Sequence, residues 1–278
     1  MKNFNNTLQT LVLGGNGKTG RRVVNRLRQL QVPVRIGSRS ATPAFDWTDM
    51  DTWVPVVEGM DAVYITFQPD LAVPGAREAI RAFTQLAVQS GVQKLVLLSG
   101  RGEEEAQLCE SIVMESGISW TIVRCSWFCQ NFSESFLLEP ILTGQVVLPV
   151  GDTGEPFVDA EDIADVVVAA LTEQEHSQKI YELTGPRLIS FQQAVHEIAQ
   201  ATGREISFST VNAEQFAEEL RKAQAPEDDI AFINYLFTEV LDGRNEQLAD
   251  GVQQALGRVP KDFSQYVYET AASGIWNA

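Results

Sequence analysis

An α/β fold is predicted for this 278-residue chain: a doubly wound parallel sheet with a smaller, mainly helical C-terminal domain. Three observations predict it. Short apolar runs alternate with helical patterns five times before residue 124. The first run is followed by glycines at spacing three, Gly14, Gly17 and Gly20. The last third, after a capping box at Ser190-Phe191-Gln192-Gln193, reads as helical, acidic and rich in Phe and Tyr.

Leu11, Val12 and Leu13 read as a buried strand, and Val23, Val24, Leu27 and Leu30 mark one face of the helix beyond the glycines. Strand, glycine turn and helix in that order present backbone N–H groups and a helix N-terminus to a phosphate. Glycines suit the turn because a side chain would block its tight bend, the approach of a pyrophosphate or helix–strand packing. Gly17-Lys18-Thr19 also looks like the end of a Walker A loop, but that motif needs glycine where Val12 stands. An ordinary strand-to-helix turn is the remaining alternative, and dinucleotide binding is preferred to it.

The second strand, 32–37, ends in Ser38-Arg39-Ser40 with no acid to accept ribose hydroxyls. A hydroxyl and a guanidinium there favour the 2′-phosphate of NADP over NAD. Phe45-Asp46-Trp47 is expected to close a short third strand, where Asp46 and Trp47 edge the adenine; Trp47 reads equally well as core. A short helix over 50–59 precedes a strand over 62–66, whose carboxyl end places Thr66, Phe67 and Gln68 along the cofactor cleft. A helix over 75–90 and a strand over 94–98 come next, the latter running into Ser99-Gly100-Arg101-Gly102. A helix over 103–116 and a strand over 119–123 complete the alternation. Trp127, Phe128, Asn131 and Phe132 then place apolar surface on a loop, as a lid or a pocket wall. Asp159 to Asp162 opens a helix, 180–183 is a last strand, and everything beyond Gly203 reads as helical. The boundary falls at 1–185 and 186–278, with 127–157 able to pack with either part.

Charge is unevenly spread. Residues 1–150 hold 13 Lys and Arg against 14 Asp and Glu, whereas 151–278 hold 8 against 23, which together give the net −16. Eight cations and no anion precede Asp46, a balance suited to a polyanionic cofactor, although Arg21, Arg22, Arg26 and Arg28 read as a solvated helix face. So acidic a chain is a poor nucleic-acid binder. The longest apolar run, Val166–Leu171, is far too short to span a membrane, and Met1–Thr10 lacks a signal-peptide apolar region. Cys109, Cys125 and Cys129 form no C-x-x-C pair, so reduced thiols in a cytoplasmic protein are expected. His176 and His196, on polar, helical stretches, leave little to build a metal site on.

These residues resemble a family, the NmrA-like proteins, which are atypical short-chain dehydrogenases. The likeness spans nearly the whole chain. It rests on Gly14-x-x-Gly17-Lys18-Thr19-Gly20, Ser38-Arg39, Leu97-Leu98-Ser99, Trp120–Arg124 with Trp127-Phe128 and Asn131, and Pro156–Asp159 with Asp162-Ile163-Ala164. The nearest look is to small-molecule reductases of the quinone-reductase and festuclavine-dehydrogenase kind; the family also holds nicotinamide-sensing regulators without turnover. The resemblance implies a Rossmann domain binding NADP(H), with Gly14, Asn16, Gly17, Lys18, Thr19, Ser38 and Arg39 on the phosphates. With Gly20, Asp46, Trp47, Thr66, Phe67, Gln68, Ser99 and Gly100 these make the expected cofactor set.

The chain departs from the family over catalysis. Short-chain dehydrogenases use Tyr-x-x-x-Lys, a tyrosine acid beside an ammonium. Four residues beyond Tyr64, Tyr181, Tyr235, Tyr266 and Tyr268 stand Gln68, Gly185, Glu239, Thr270 and Ala272, so no such pair exists. A lysine common in the family is replaced near Ala106, and Cys109 reads as a buried structural thiol. A quinone, enone or iminium acceptor needs positioning more than proton donation, so an NADPH-dependent oxidoreductase is expected, and no catalytic residue is named. Ser99 remains able to donate a hydrogen bond or to cap its strand. The alternative is a non-catalytic NADP(H) sensor with a protein partner. The substrate pocket is expected between the carboxyl ends of the later strands and the C-terminal helices, walled by Phe67, Arg101, Trp127, Phe128, Asn131 and Phe157; the competing reading makes Trp127 and Phe128 interdomain core.

Overall fold

A computed structural model describes residues 8–277. In chain order its elements are β1 (Thr10–Leu13), α1 (Lys18–Gln29), β2 (Val34–Gly37), α2 (Trp53–Val57), β3 (Ala62–Ile65), α3 (Ala76–Gln89), β4 (Lys94–Gly100), α4 (Glu104–Met114) and β5 (Ser119–Cys125). Then come α5 (Leu138–Thr143), β6 (Gln145–Leu148), α6 (Ala160–Thr172), β7 (Lys179–Leu183), α7 (Phe191–Thr202), β8 (Ser207–Thr210), α8 (Ala213–Lys222), α9 (Glu227–Tyr235), α10 (Gly251–Leu256) and α11 (Phe263–Ala272). The chain forms two compact units. The first comprises the residues up to Cys125 with Ala160–Leu183 and Asp250–Arg258; the second comprises Ser126–Asp159, Thr184–Ala249 and the residues from Val259.

In the first unit a six-stranded, wholly parallel sheet runs β2-β1-β3-β4-β5-β7. Its central strands are apolar throughout because both faces are covered. Leu11, Leu13, Val63, Ile65, Leu95, Leu97 and Ile122 point to one face, where α2, α3 and α4 contribute Trp53, Val56, Ile80, Phe83, Ala87, Ala106 and Cys109. Side chains alternate along a strand, so the intervening Val12, Tyr64, Val96 and Val123, all fully buried, take the other face, which α1 and α6 cover. Arg22 and Arg26 of α1 pair with Glu161 and Asp165 of α6 at 2.5–2.6 Å. They therefore bind one helix to another instead of forming a solvated face. Lys94, buried at the start of β4, donates to the carbonyls of Ala170 (3.0 Å) and Glu173 (2.7 Å), satisfying the end of α6. Burial holds its pKa below the usual lysine range.

The second unit surrounds an aromatic core of Trp127, Phe132, Phe157, Phe191, Phe237, Phe263, Tyr266 and Trp276. The capping box is formed as expected: Ser190 Oγ accepts from the Gln193 amide and Gln193 Oε1 from that of Ser190.

Four local expectations are corrected. Phe45-Asp46-Trp47 forms no sheet strand. Asp46 closes its own turn, accepting from the Thr48 amide at 2.9 Å and hydroxyl at 2.8 Å, while Phe45 is drawn into the cluster of Trp47, Trp53 and Phe83. The chain beyond Gly203 is not all helical, because β8 pairs in parallel with β6. Trp127 and Phe132 are buried, not exposed on a loop. His196 lies on α7, but His176 is buried in the turn before β7, its Nδ1 2.9 Å from Tyr181 Oη. At that turn Glu173, Glu175 and His176 bring ligand-type atoms within 4.8 Å of one another, a grouping absent from the sequence reading. All three cysteines are free and buried, and no helix among the described residues is long and apolar enough to cross a membrane.

Candidate dinucleotide-binding site

The glycine turn leaves the carboxyl end of β1, which lies between β2 and β3 in the sheet. Gly14 has φ +63°, and a Cβ on it would strike Thr66 Oγ1. The Thr66 hydroxyl in turn donates to the Leu13 carbonyl at 3.0 Å. A Cβ on Gly20 would strike the Gly14 carbonyl, so α1 and the turn touch backbone to backbone. Gly17, the N-cap of α1, offers no capping side chain, and no acid stands in the first turn. A helix start without its own acceptor suits a bound anion. Thr19 is buried with its hydroxyl 3.0 Å from Tyr64 Oη, so its side chain serves the core and only its backbone remains for a phosphate. Burial pushes the Tyr64 phenol well above its usual range and keeps it neutral.

At the neighbouring strand end Asn16 Nδ2 donates to Ser38 Oγ at 3.0 Å and to Ser40 Oγ at 3.2 Å. Arg39 stands exposed between those serines. Asn16, Ser38, Arg39 and Ser40 thus gather beside the turn with donors and a cation to offer. Asp46 is held below the usual carboxylate range by the Thr48 amide and hydroxyl, with Arg39 contributing. Trp47, half-buried, donates from Nε1 to the Thr66 carbonyl at 3.0 Å and tilts against Phe67 at a centroid distance of 4.9 Å. The core reading of Trp47 is supported by its contacts with Phe45, Trp53 and Phe83 as well as Phe67.

At the carboxyl ends of β4, β5 and β7 lies a charged network missed by the sequence reading. Ser99 Oγ donates to Glu110 Oε1 at 2.6 Å. Arg124 grips the same carboxylate from Nε (2.9 Å) and an Nη (2.5 Å), and its other Nη reaches Glu182 at 2.7 Å. Arg101, also buried, is 3.4 Å from Glu182. The Ser99 proton is thus directed into the protein, leaving the oxygen lone pairs to accept from a ligand. Carboxylate contacts push the Arg124 pKa upward, so it stays cationic. Glu110 sits on the apolar stripe of α4 with Ala106 and Val113, a charged residue at a buried helical position, and that was the signal available for it. The Cys109 thiol, pushed up to about 12 by burial, is no nucleophile at neutral pH.

The expected pocket residues divide between the units. Phe67 is half-buried at the end of β3 and Arg101 comes just after β4. In the second unit Phe128 and Asn131 are half-buried. Trp127 and Phe157 lie within its core, Phe157 only 1% exposed among Phe132, Phe191 and Phe263.

A family model described as NAD(P)H-binding matches residues 14–174, from the glycine turn through α6. The chain belongs to the NAD(P)H-binding family. Festuclavine synthase II of Penicillium roqueforti (strain FM164) is 31% identical over 277 residues, covering 91% of this chain and 95% of that protein. Prestalk A differentiation protein A of Dictyostelium discoideum is 27% identical over 95% of this chain and 92% of its own. An NADPH-dependent quinone oxidoreductase from Escherichia coli, crystallised with NADPH, shares the fold at TM-score 0.79 and 17% identity, covering 94% of this chain and 99% of that one. The glycine cradle and uncapped start of α1 fit such a dinucleotide on their own geometry.

Proposed function

We propose that this family member is an NADPH-dependent reductase that delivers hydride to a small electrophilic acceptor: a quinone, an enone or an imine. The Ser99–Glu110–Arg124 arrangement carries the reading. At the strand ends where the reacting part of a dinucleotide lies in this fold, the available hydroxyl gives its proton to a buried carboxylate. No Tyr-x-x-x-Lys acid exists in the sequence to replace it. An alkoxide in need of immediate protonation is poorly served there, whereas an acceptor already short of electrons needs chiefly to be held in place.

Bound reduced nicotinamide supplies the hydride. The first-turn amides of Lys18, Thr19 and Gly20 hold the pyrophosphate, over a turn in which the Gly14 and Gly17 amides donate to the Gly37 and Gly14 carbonyls at 2.8 Å; Asn16, Ser38 and Arg39 hold the adenosine phosphate; Asp46, Trp47, Thr66, Phe67 and Gln68 line the adenosine side; Ser99 and Gly100 border the nicotinamide. Phe67 and Arg101 are the substrate-side groups of the first unit. The setting is cytoplasmic, consistent with three free thiols.

NADPH consumption, followed at its reduced-nicotinamide absorbance against a panel of quinones, enones and imines, tests the reading. Turnover with one class and none with simple ketones is the expected result. A second reading, a sensor without turnover, is favoured by the likeness to a protein named for differentiation. Silence across the panel, together with different affinities for oxidised and reduced cofactor, would establish that reading instead.

Preference for NADP is tested separately. Charge-assisted bonds from Arg39 to a 2′-phosphate contribute about 1.5–3 kcal/mol, a preference on the order of tenfold to a hundredfold. Calorimetric titration of Arg39→Ala is expected to show that preference gone and NAD(H) binding unchanged. Equal affinity for both cofactors in the unaltered protein would refute the assignment.

A further inference from the structure

One pair of carboxyl groups in the first unit has no part in the network at Glu110 or in the glycine turn. Glu103, at the N-cap of α4, is only 5% exposed and makes no capping bond. Its carboxyl lies so close to Gly100 that a Cβ there would collide with Oε1, and its Oε2 is buried without a hydrogen-bond partner. Asp70, half-buried on the segment after β3, faces the Glu103 carboxyl and accepts from the Ala72 amide at 2.8 Å. Leu71 beside it is buried in the same core cluster as Ala106 and Cys109 of α4. Two carboxylates facing one another, one of them buried, repel unless one proton lies between them.

We propose that Asp70 and Glu103 share one proton, and that this pair is a positioning device holding the segment after β3 against the turn after β4 at the edge of the dinucleotide site. The proposal rests on the cofactor assignments above. Phe67 and Gln68 lead directly into Asp70, and Ser99 and Gly100 lead directly into Glu103. Losing the proton leaves two anions face to face, which separates the segments carrying those four residues and weakens cofactor binding.

Asp70 faces Glu103 directly. The other charged or titratable groups around this junction are Arg77 on α3 and Glu105, Cys109 and Glu110 on α4, while Arg101 on the intervening turn is engaged with Glu182. Burial first, then the Asp70 charge, pushes Glu103 up to about 9 from an ordinary 4.5. The Asp70 carboxyl is raised as well, chiefly by burial. The folded chain thus keeps a proton that the unfolded chain releases. The associated stability is complete below about 4.5, declines as pH rises, and is lost above about 9.

Two titrations test this in the intact chain. In the first, NADPH dissociation constants are measured by nicotinamide fluorescence from pH 7 to 9.5. The unaltered protein is expected to bind about three- to tenfold more weakly at the top of the range, within the limit of about tenfold per pH unit for one linked proton. Glu103→Gln, whose amide donates permanently to Asp70, and Asp70→Asn, which donates to an ionised Glu103, are expected to hold constant affinity. A flat profile in the unaltered protein, or the same slope in both variants, would overturn the proposal.

In the second, urea midpoints are compared without cofactor. The unaltered protein is expected to weaken steadily between pH 5 and 9, and Glu103→Gln to lack that decline. Indistinguishable profiles would show that no proton is shared. Failure to bind NADPH at pH 7 would remove the cofactor assignments and the positioning role together, whereas the urea profiles would still report on the pair itself.

Discussion

Replacing Glu110 with alanine is expected to cost the fold about 3–5 kcal/mol, read as a lowered urea midpoint, because it removes the buried partner of the half-buried Arg124 cation and of Ser99. Glu110 is 1% exposed and takes three donors, the Ser99 hydroxyl and two nitrogens of Arg124. Without it Arg124 keeps only Glu182, a carboxylate 38% exposed and shared with Arg101. Ser99 also loses the acceptor of its proton inside a dry strand end. Glu110→Gln retains an acceptor oxygen and should lose less. Should Glu110→Ala change stability by under about 1 kcal/mol, the network would be a surface ornament and not a buried unit. The same variant is expected to weaken NADPH binding, since Ser99 is then free to turn its hydroxyl.

Trp127→Ala is expected to lose a comparable amount, about 3–5 kcal/mol. The indole packs at 5.3 Å centroid distance against both Phe191 and Phe237 in the core of the second unit, and the Trp127 amide donates to Glu155 at 3.0 Å. Truncation leaves a cavity that surrounding rings cannot refill without abandoning their edge-to-face contacts. A pocket wall would behave differently, with reduced turnover or substrate affinity and little change in melting temperature. Normal stability with impaired turnover would restore Trp127 to the substrate side.

The glycine turn was legible because its requirements are local: a strand, a bend that tolerates no Cβ and an uncapped helix start leave their marks within ten residues of one another. Ser38 and Arg39 were legible for the same reason, since their place just beyond an apolar strand puts them at its carboxyl end. The short strands were not. β6 and β8 have four residues each and pair across about sixty positions of sequence, so their alternation competes with helical patterns on both sides. The stretch at 45–47 failed in the opposite sense. Its apolar residues looked like a strand, but a side chain that bonds its own turn, together with an aromatic cluster, set its conformation.

By itself the sequence determined the parallel sheet, the glycine turn after β1 and the absence of a Tyr-x-x-x-Lys acid, because each is a matter of residue type at short spacing. Tertiary structure alone decided what the polar side chains do. Thr19 turns inward to Tyr64, Ser99 gives its proton to Glu110, and Asp70 meets Glu103. Thr19 and Tyr64, 45 residues apart, are brought together by the packing of α1 on the sheet. Whether a hydroxyl or carboxyl serves ligand or core depends on burial and on the nearest partner, neither of which one position in a chain specifies.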